Sequence, residues 1–166
     1  MEKNETVEIS KVISYNKQQI EHVRLFQQLV QEFCNELMRE AINHDQSKFG
    51  EIEYETFVQS QGALNQSKTG KDQEYQKFLN SKGIQSHIQS NPHHPEYWDH
   101  RGLKMPIQQG ILMYFDWLSR SIQRGTGMEA FWQFNTEKLK TQKHILPVAE
   151  AMRSTWVSEL EGYKKV

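Results

Sequence analysis

The sequence predicts an all-α fold on three observations. Apolar residues recur at three- and four-residue spacing through most of the chain, no run alternates apolar with polar residues over the length of a strand, and Pro106, Gly125, Gly127 and Pro147 stand at joints between periodic segments. At 166 residues the chain is long enough to bury a core without staples. It is expected as one compact helical domain over residues 1–166, with residues 1–11 a flexible N-terminus.

The elements follow in order. Residues 12–42 contain neither Pro nor Gly, and Phe26, Leu29, Val30, Phe33, Leu37, Met38 and Ala41 recur at helical spacing. Unbroken, this helix would hold His22 and His44 about 33 Å apart at 1.5 Å per residue. A break between Phe33 and Leu37, for which Asn35 is the only signal, would fold two equal segments together and bring the histidines close. An amphipathic piece follows over 51–59 (Ile52, Tyr54, Phe57, Val58), then a loop over 61–71 rich in Gly, Asn, Ser and Lys. Residues 72–90 read as helix with a weak point at Gly83, and Asn91, placed before a proline, is pushed out of helical geometry. His93 and His94 therefore lie on a turn. Pro106 fits the first position of a helix whose stripe is Ile107, Ile111, Tyr114, Leu118 and Ile122, ended by Gly125 and Gly127. The final third predicts two helices meeting at Pro147.

The charge is nearly balanced, at −1, so nothing draws the chain globally toward nucleic acid, and no extended nucleic-acid surface is expected. An anionic ligand must be caught locally. Cys34 is the only cysteine, which excludes an intrachain disulfide and a Cys-rich zinc site. The absence of a signal-peptide-like or membrane-spanning run gives the expectation of a cytoplasmic protein with no membrane partner.

The chemistry concentrates in histidines and aspartates. His44-Asp45, with Lys48 three positions on, combines with Asn91-Pro92-His93-His94-Pro95-Glu96-Tyr97-Trp98 to read as a metal site. Mixed imidazole and carboxylate donors suit Mn, Fe, Zn or Ni and hold a divalent ion that activates water. His22 shares the face of Phe26 and Leu29, so it is either a core histidine or a ligand. His44-Asp45 could instead cap a helix C-terminus, a reading that leaves Lys48 unexplained. Lys and Asp together make sense if Asp45 holds metal and Lys48 a phosphate oxygen. Asp116 is the sole carboxylate between Lys104 and Glu129, flanked by Phe115 and Trp117. Buried carboxylates are costly unless paired or metal-bound. Either Asp116 ligates metal, with Arg120 binding substrate beside it, or it forms a salt bridge with Arg120 four residues on. Adjacent His93 and His94 diverge on an extended turn stiffened by Pro92 and Pro95, facing two ions or one ion and a substrate. His87 is a further ligand candidate, and His100 and His144 read as surface residues. Tyr97 and Trp98 are core or wall a pocket for a planar ring.

His22, His44-Asp45 and Asp116 resemble the H…HD…D signature of the HD-domain superfamily of metal-dependent phosphohydrolases. The extended form, with Lys48 and the downstream His93-His94, is similar to its two-metal subset, which includes the HD-GYP phosphodiesterases. HDQSKF, NPHHPEYW and the segment from Met105 to Trp117 look more closely like a small uncharacterised family of bacteria and phages. The resemblance implies a helical bundle of the HD-domain type. In it His22, His44, Asp45 and Asp116 surround one ion, while His87, His93 and His94 supply a second or bind substrate. One or two divalent ions are expected, Mg included. The Gly-Tyr-Pro element is missing, so cyclic dinucleotide hydrolysis is not carried over. The expected activity is hydrolysis of a small, nucleotide-like phosphate ester, with Asp45 orienting water and Lys48 and Arg120 offsetting phosphoryl charge. An HD-fold di-iron oxygenase and a non-catalytic metal- or nucleotide-binding accessory protein are the alternatives.

Overall fold

The structure, a computed structural model, describes residues 9–66, 73–125 and 128–160. The described residues are helical, with no strand among them. Contacts divide the chain into two units, residues 1–42 and 43–166.

The described residues of the first unit form one helix, α1 (Ile9–Ile42). It runs straight through the expected break at residues 33–37. No Pro or Gly interrupts it, and the Asn35 side chain accepts a hydrogen bond from Gln31 one turn back, at 3.0 Å, within the helical pattern. Twenty residues of continuous helix, about 30 Å, separate His22 from Ile42. The return of the chain that would carry His22 to His44 and Asp45 does not occur. His22 is exposed, as are Phe26 and Leu29 on its face, and α1 contains no buried residue. Of the expected flexible N-terminus, residues 1–8 lie outside the described residues, and Ile9 to Lys11 are already helical.

The second unit opens with a 3-10 turn (Gln46–Phe49) and α2 (Glu51–Gln66). Helix α2 runs seven residues past the expected end at 59, because the segment after it holds no proline and a single interior glycine costs only about 1 kcal/mol. Residues 67–71 of the expected loop lie outside the described residues. Residues 73–90 form two helices, α3 (Gln73–Leu79) and α4 (Lys82–Ser90), parted at Asn80-Ser81 and not at Gly83. The Ser81 hydroxyl accepts from the Ile84 amide, the N-cap bond that starts a helix. Gly83 serves packing instead: a Cβ there would stand 2.2 Å from Thr56 Oγ1, so α4 crosses α2 at closest approach.

A turn then leads to α5 (Pro95–Asp99), an extended stretch to α6 (Ile107–Arg124), and α7 (Met128–Asn135) with a 3-10 turn (Thr136–Leu139); α8 (Leu146–Leu160) follows. Pro106 sits one residue ahead of the helix it was expected to open, with extended backbone. Gly125 ends α6 in the left-handed region at φ 64°, which glycine adopts without a Cβ penalty, while Gly127 lies outside the described residues. Pro147 is second in α8, where its missing N–H leaves no intrahelical bond unmade. Met105, Met113, Tyr114, Trp117, Leu118, Trp132, Leu139, Ile145 and Ala149 form the core. The buried face of α6 is rotated from the expected stripe: Gly110, Met113, Trp117 and Ser121 join Tyr114 and Leu118, while Ile107 is exposed. Gly110 permits this, since a Cβ there would meet Ile145 Cγ2 at 2.8 Å. Helix α2 packs with α3 and α4, and α6 with α7 and α8. No helix among the described residues is long and apolar enough to cross a membrane.

Candidate metal centre

Asp45 is the pivot of the second unit. Its backbone stands in the left-handed region, φ 59°, the only non-glycine residue with positive φ among the described residues. That conformation costs an ordinary side chain about 1–2 kcal/mol and is visited mainly by Gly, Asn and Asp. It opens the 3-10 turn, with the Lys48 amide donating to the Asp45 carbonyl at 2.9 Å. One turn on, the Lys48 ammonium closes onto Asp45 Oδ2 and lies 5.1 Å from the centre of the Phe57 ring.

His44 turns to α6. Its Nε2 is 3.3 Å from Asp116 Oδ1 and 3.2 Å from Asp45 Oδ2. Arg120 reaches Asp45 Oδ2 at 3.6 Å and Asp116 Oδ1 at 3.9 Å, so its pairing with Asp116 is long and shared.

Helix α4 and the turn after it deliver three more imidazoles. His87 occupies the last turn of α4, and Asn91 leaves the helix in extended geometry before Pro92. The turn closes tightly, the His94 amide donating to Asn91 O at 3.1 Å, so the His93 and His94 rings do not diverge as expected: their centres are 4.3 Å apart. Trp98 clamps this turn by donating its indole N–H to Pro92 O at 2.6 Å, and it packs on the core. Tyr97 instead stacks under Arg101, at 3.6 Å. His100 and His144 are exposed, the latter beside Met105 O at 2.8 Å.

Asp45 Oδ1 lies 3.3 Å from His87 Nε2 and 3.5 Å from His93 Nε2, and His87 Nε2 is 3.0 Å from His94 Nε2. Two ligand groups emerge among the described residues, Asp45 with His87, His93 and His94, and His44 with His93 and Asp116, the donor atoms of each within 4.8 Å of one another. Nitrogen and oxygen ligands bind at about 2.0–2.2 Å, so opposed ligands stand at most about 4.4 Å apart, and small rotamer changes would close either group on a cation. Asp45 Oδ1 and His93 Nε2 are buried and make no hydrogen bond among the described residues. Leaving such atoms unpaired costs about 1–3 kcal/mol each, which a shared cation would recover. The donor set fits a borderline divalent ion. His22 lies in neither group.

Protonation divides the cluster. His44 is raised to about 9, chiefly by its bond to Asp116 and then by Asp45. Burial alone would raise Asp45 and Asp116, but the bond from His44 overrides it in both, aided at Asp45 by Lys48, and both carboxyls lie below their ordinary range. Burial pushes His93 down to about 4 and lowers His87 and His94, so three imidazoles are neutral with lone pairs to offer at neutral pH.

Glu53, in the first turn of α2, is a member of the site that the sequence did not single out. It is 3% exposed and sits 3.0 Å from His87 Nδ1 through Oε2, with hydroxyl bonds from Ser47 at 2.8 Å and Ser86 at 3.3 Å. An acidic residue in a first helical turn is commonplace, so it carried no signal. Ser47 and Asn91 had one, since both fall inside the HDQSKF and NPHHPEYW motifs. An apolar groove on α8 lined by Pro147, Val148, Ala151, Met152 and Thr155 shares no residue with this cluster and offers no titratable side chain.

Comparison with curated proteins and with solved structures finds no match. A family model does match, over residues 11–160, which takes in every residue of the cluster. The chain belongs to DUF5662, a family of unknown function.

Proposed function

We propose that the second unit carries an HD-like metal centre that hydrolyses a small phosphate ester, nucleotide-like in character. The observation that carries this reading is the convergence of two buried ligand atoms that make no hydrogen bond among the described residues, Asp45 Oδ1 and His93 Nε2, with the His87 and His94 nitrogens and, through His93, with His44 and Asp116. One or two ions would be held by these six residues. Bound there, a divalent ion supplies acidity to coordinated water and polarises a phosphoryl oxygen. The chain supplies the rest. Lys48 and Arg120 bring two cations to the same carboxylate edge, at Asp45 Oδ2, where they would offset charge growing on the phosphoryl oxygens. An ammonium has no lone pair for a metal, so Lys48 serves the anion. Asp45, anionic at any physiological pH, accepts from whichever donor lies beside it and orients it.

In this reading the first histidine of the H…HD…D pattern does not reach the site, and His87, His93 and His94 take over the imidazole share. A donor set this rich in nitrogen also suits iron, which keeps the di-iron oxygenase as the competing chemistry. The test is elemental analysis of protein purified without added metal, followed by turnover of a panel of phosphate esters with Mn(II). Bound metal with ester hydrolysis is expected. Bound iron with oxygen consumption and no hydrolysis would overturn the reaction assignment, and bound metal with neither activity would leave a binding protein.

A further inference from the structure

We infer that Glu53 is a positioning residue that fixes the tautomer of His87, holding its proton on Nδ1 and turning the Nε2 lone pair toward Asp45 and His94; the inference rests on the metal reading above. The argument is a count of hydrogens. His87 Nδ1 has three polar neighbours: Glu53 Oε2 at 3.0 Å, Asn91 Nδ2 at 3.0 Å and Ser47 Oγ at 3.3 Å. Asn91 Nδ2 carries two hydrogens, and two better acceptors take them, the His87 carbonyl and Ser47 Oγ, each at 2.7 Å. Ser47 has one hydrogen, which goes to the Glu53 carboxylate at 2.8 Å. Neither neighbour has a proton left for Nδ1. An unprotonated Nδ1 would place its lone pair against the carboxylate, so the nitrogen must carry the proton and donate it to Glu53. Reversing the Asn91 amide would set its oxygen against the His87 carbonyl and break the chain. One assignment satisfies every group around Nδ1: Asn91 donates to Ser47, Ser47 and His87 donate to Glu53, and Ser86 donates to its other oxygen.

The consequence falls at Nε2. With Nδ1 protonated, a neutral His87 has a lone pair at Nε2, which can accept from His94 Nε2 at 3.0 Å and faces Asp45 Oδ1 at 3.3 Å, a repulsion between two acceptors that a cation between them would relieve. A carboxylate behind a ligating imidazole raises its basicity and locks its ring, and losing such a partner typically weakens metal binding about 10–100-fold. The Ser of HDQSKF and the Asn of NPHHPEYW thereby acquire a role as links that hold Glu53 and His87 in register.

Two measurements test this. Nitrogen NMR of histidine-labelled, metal-free wild-type protein, with His87 assigned by loss of its signal in His87→Gln, is expected to show His87 neutral and protonated on Nδ1. Protonation on Nε2 would overturn the inference. Titration with Zn(II) and Mn(II) is expected to show Glu53→Gln binding about 10–100-fold more weakly than wild type, while Glu51→Gln, on an exposed residue two positions earlier, binds as wild type does. Equal affinity in Glu53→Gln would remove the role of Glu53 and leave the centre standing. A wild-type protein that takes up neither ion would instead overturn the metal reading itself. The NMR experiment is made on wild type, so it decides the tautomer even if Glu53→Gln does not fold.

Discussion

Lys48 and Asp45 form the closest ion pair of the site, yet under the proposed function they would do different work, Asp45 offering an oxygen to a cation and Lys48 a charge to an anion. Lys48→Met should therefore retain bound metal while phosphate-ester turnover falls about two to three orders of magnitude, the roughly 3 kcal/mol of a lost transition-state charge partner. Metal analysis and kcat on the same preparation check it, and unchanged turnover would reduce Lys48 to a counter-ion of Asp45. His44 sets the pH dependence. Its proton is held up to about 9 by Asp116 and Asp45, and a metal can take Nε2 only when that proton leaves. Affinity for Zn(II) should rise with pH up to about 9, with a proton released on binding, and His44→Gln should flatten the profile. Calorimetry in buffers of different ionisation enthalpy counts the proton. The metal-free protein should show the opposite trend from this group. Its folded pKa is raised above the ordinary 6.5, so the stability it contributes is complete below 6.5 and is lost as pH rises through about 9.

Helix α4 places His87, and α4 is placed by its contact with α2. A Cβ on Gly83 would stand 2.4 Å from Thr56 Cβ and 2.2 Å from its hydroxyl, closer than any rotamer of Thr56 can relieve. Gly83→Ala should lower stability by about 1–3 kcal/mol, as overpacking does, in spite of the better helix propensity of alanine. Thr56→Gly added to it should recover part of the loss and Thr56→Ala should not, since the Thr56 Cβ is itself in the way. Urea midpoints of the four proteins give the comparison. Gly83 was legible as an irregularity in a helical pattern, but its meaning was not: a helix break and a helix crossing both select glycine, and only the neighbouring helix distinguishes them. Helix α2 reversed a reading in the same way. Ile52, Tyr54 and Val58 marked an apolar face, yet all three are exposed while Glu53 points inward. Its buried side meets a polar cluster, where a carboxylate finds three donors and an isoleucine would find none.

Metal binding should couple to the stability of the second unit, because the donor atoms come from three separate stretches of chain, the turn after α1, α4 with its following turn, and α6. An ion that binds the folded state alone stabilises it by about 2.7 kcal/mol at a hundredfold excess over Kd. Zn(II) should accordingly raise the thermal midpoint and a chelator should return it. His93 belongs to both ligand groups, so His93→Ala should abolish the zinc-induced shift more completely than His94→Ala or Asp116→Ala, each of which removes a ligand from one group only. Differential scanning fluorimetry with and without Zn(II) reads this directly. Equal residual shifts in all three variants would mean that His93 is not shared.

Periodicity, with Pro and Gly as punctuation, determined the helical class and most of the joints, because a backbone without strand alternation has to satisfy its hydrogen bonds locally. The residues His44, Asp45, Lys48, His87, His93, His94, Asp116 and Arg120, which the structure brings near one another, were also legible as candidates, since unusual polar types at unusual positions stand out whatever their geometry. Tertiary structure decided the membership. The unbroken α1 withdrew His22, because one asparagine cannot break a helix that satisfies its own hydrogen bonds, and the tight turn at Asn91 brought two adjacent histidines together. Glu53 entered only through packing. A glutamate near a helix start is ordinary in sequence, and nothing but the approach of Ser47, Ser86 and His87 makes it a buried acceptor.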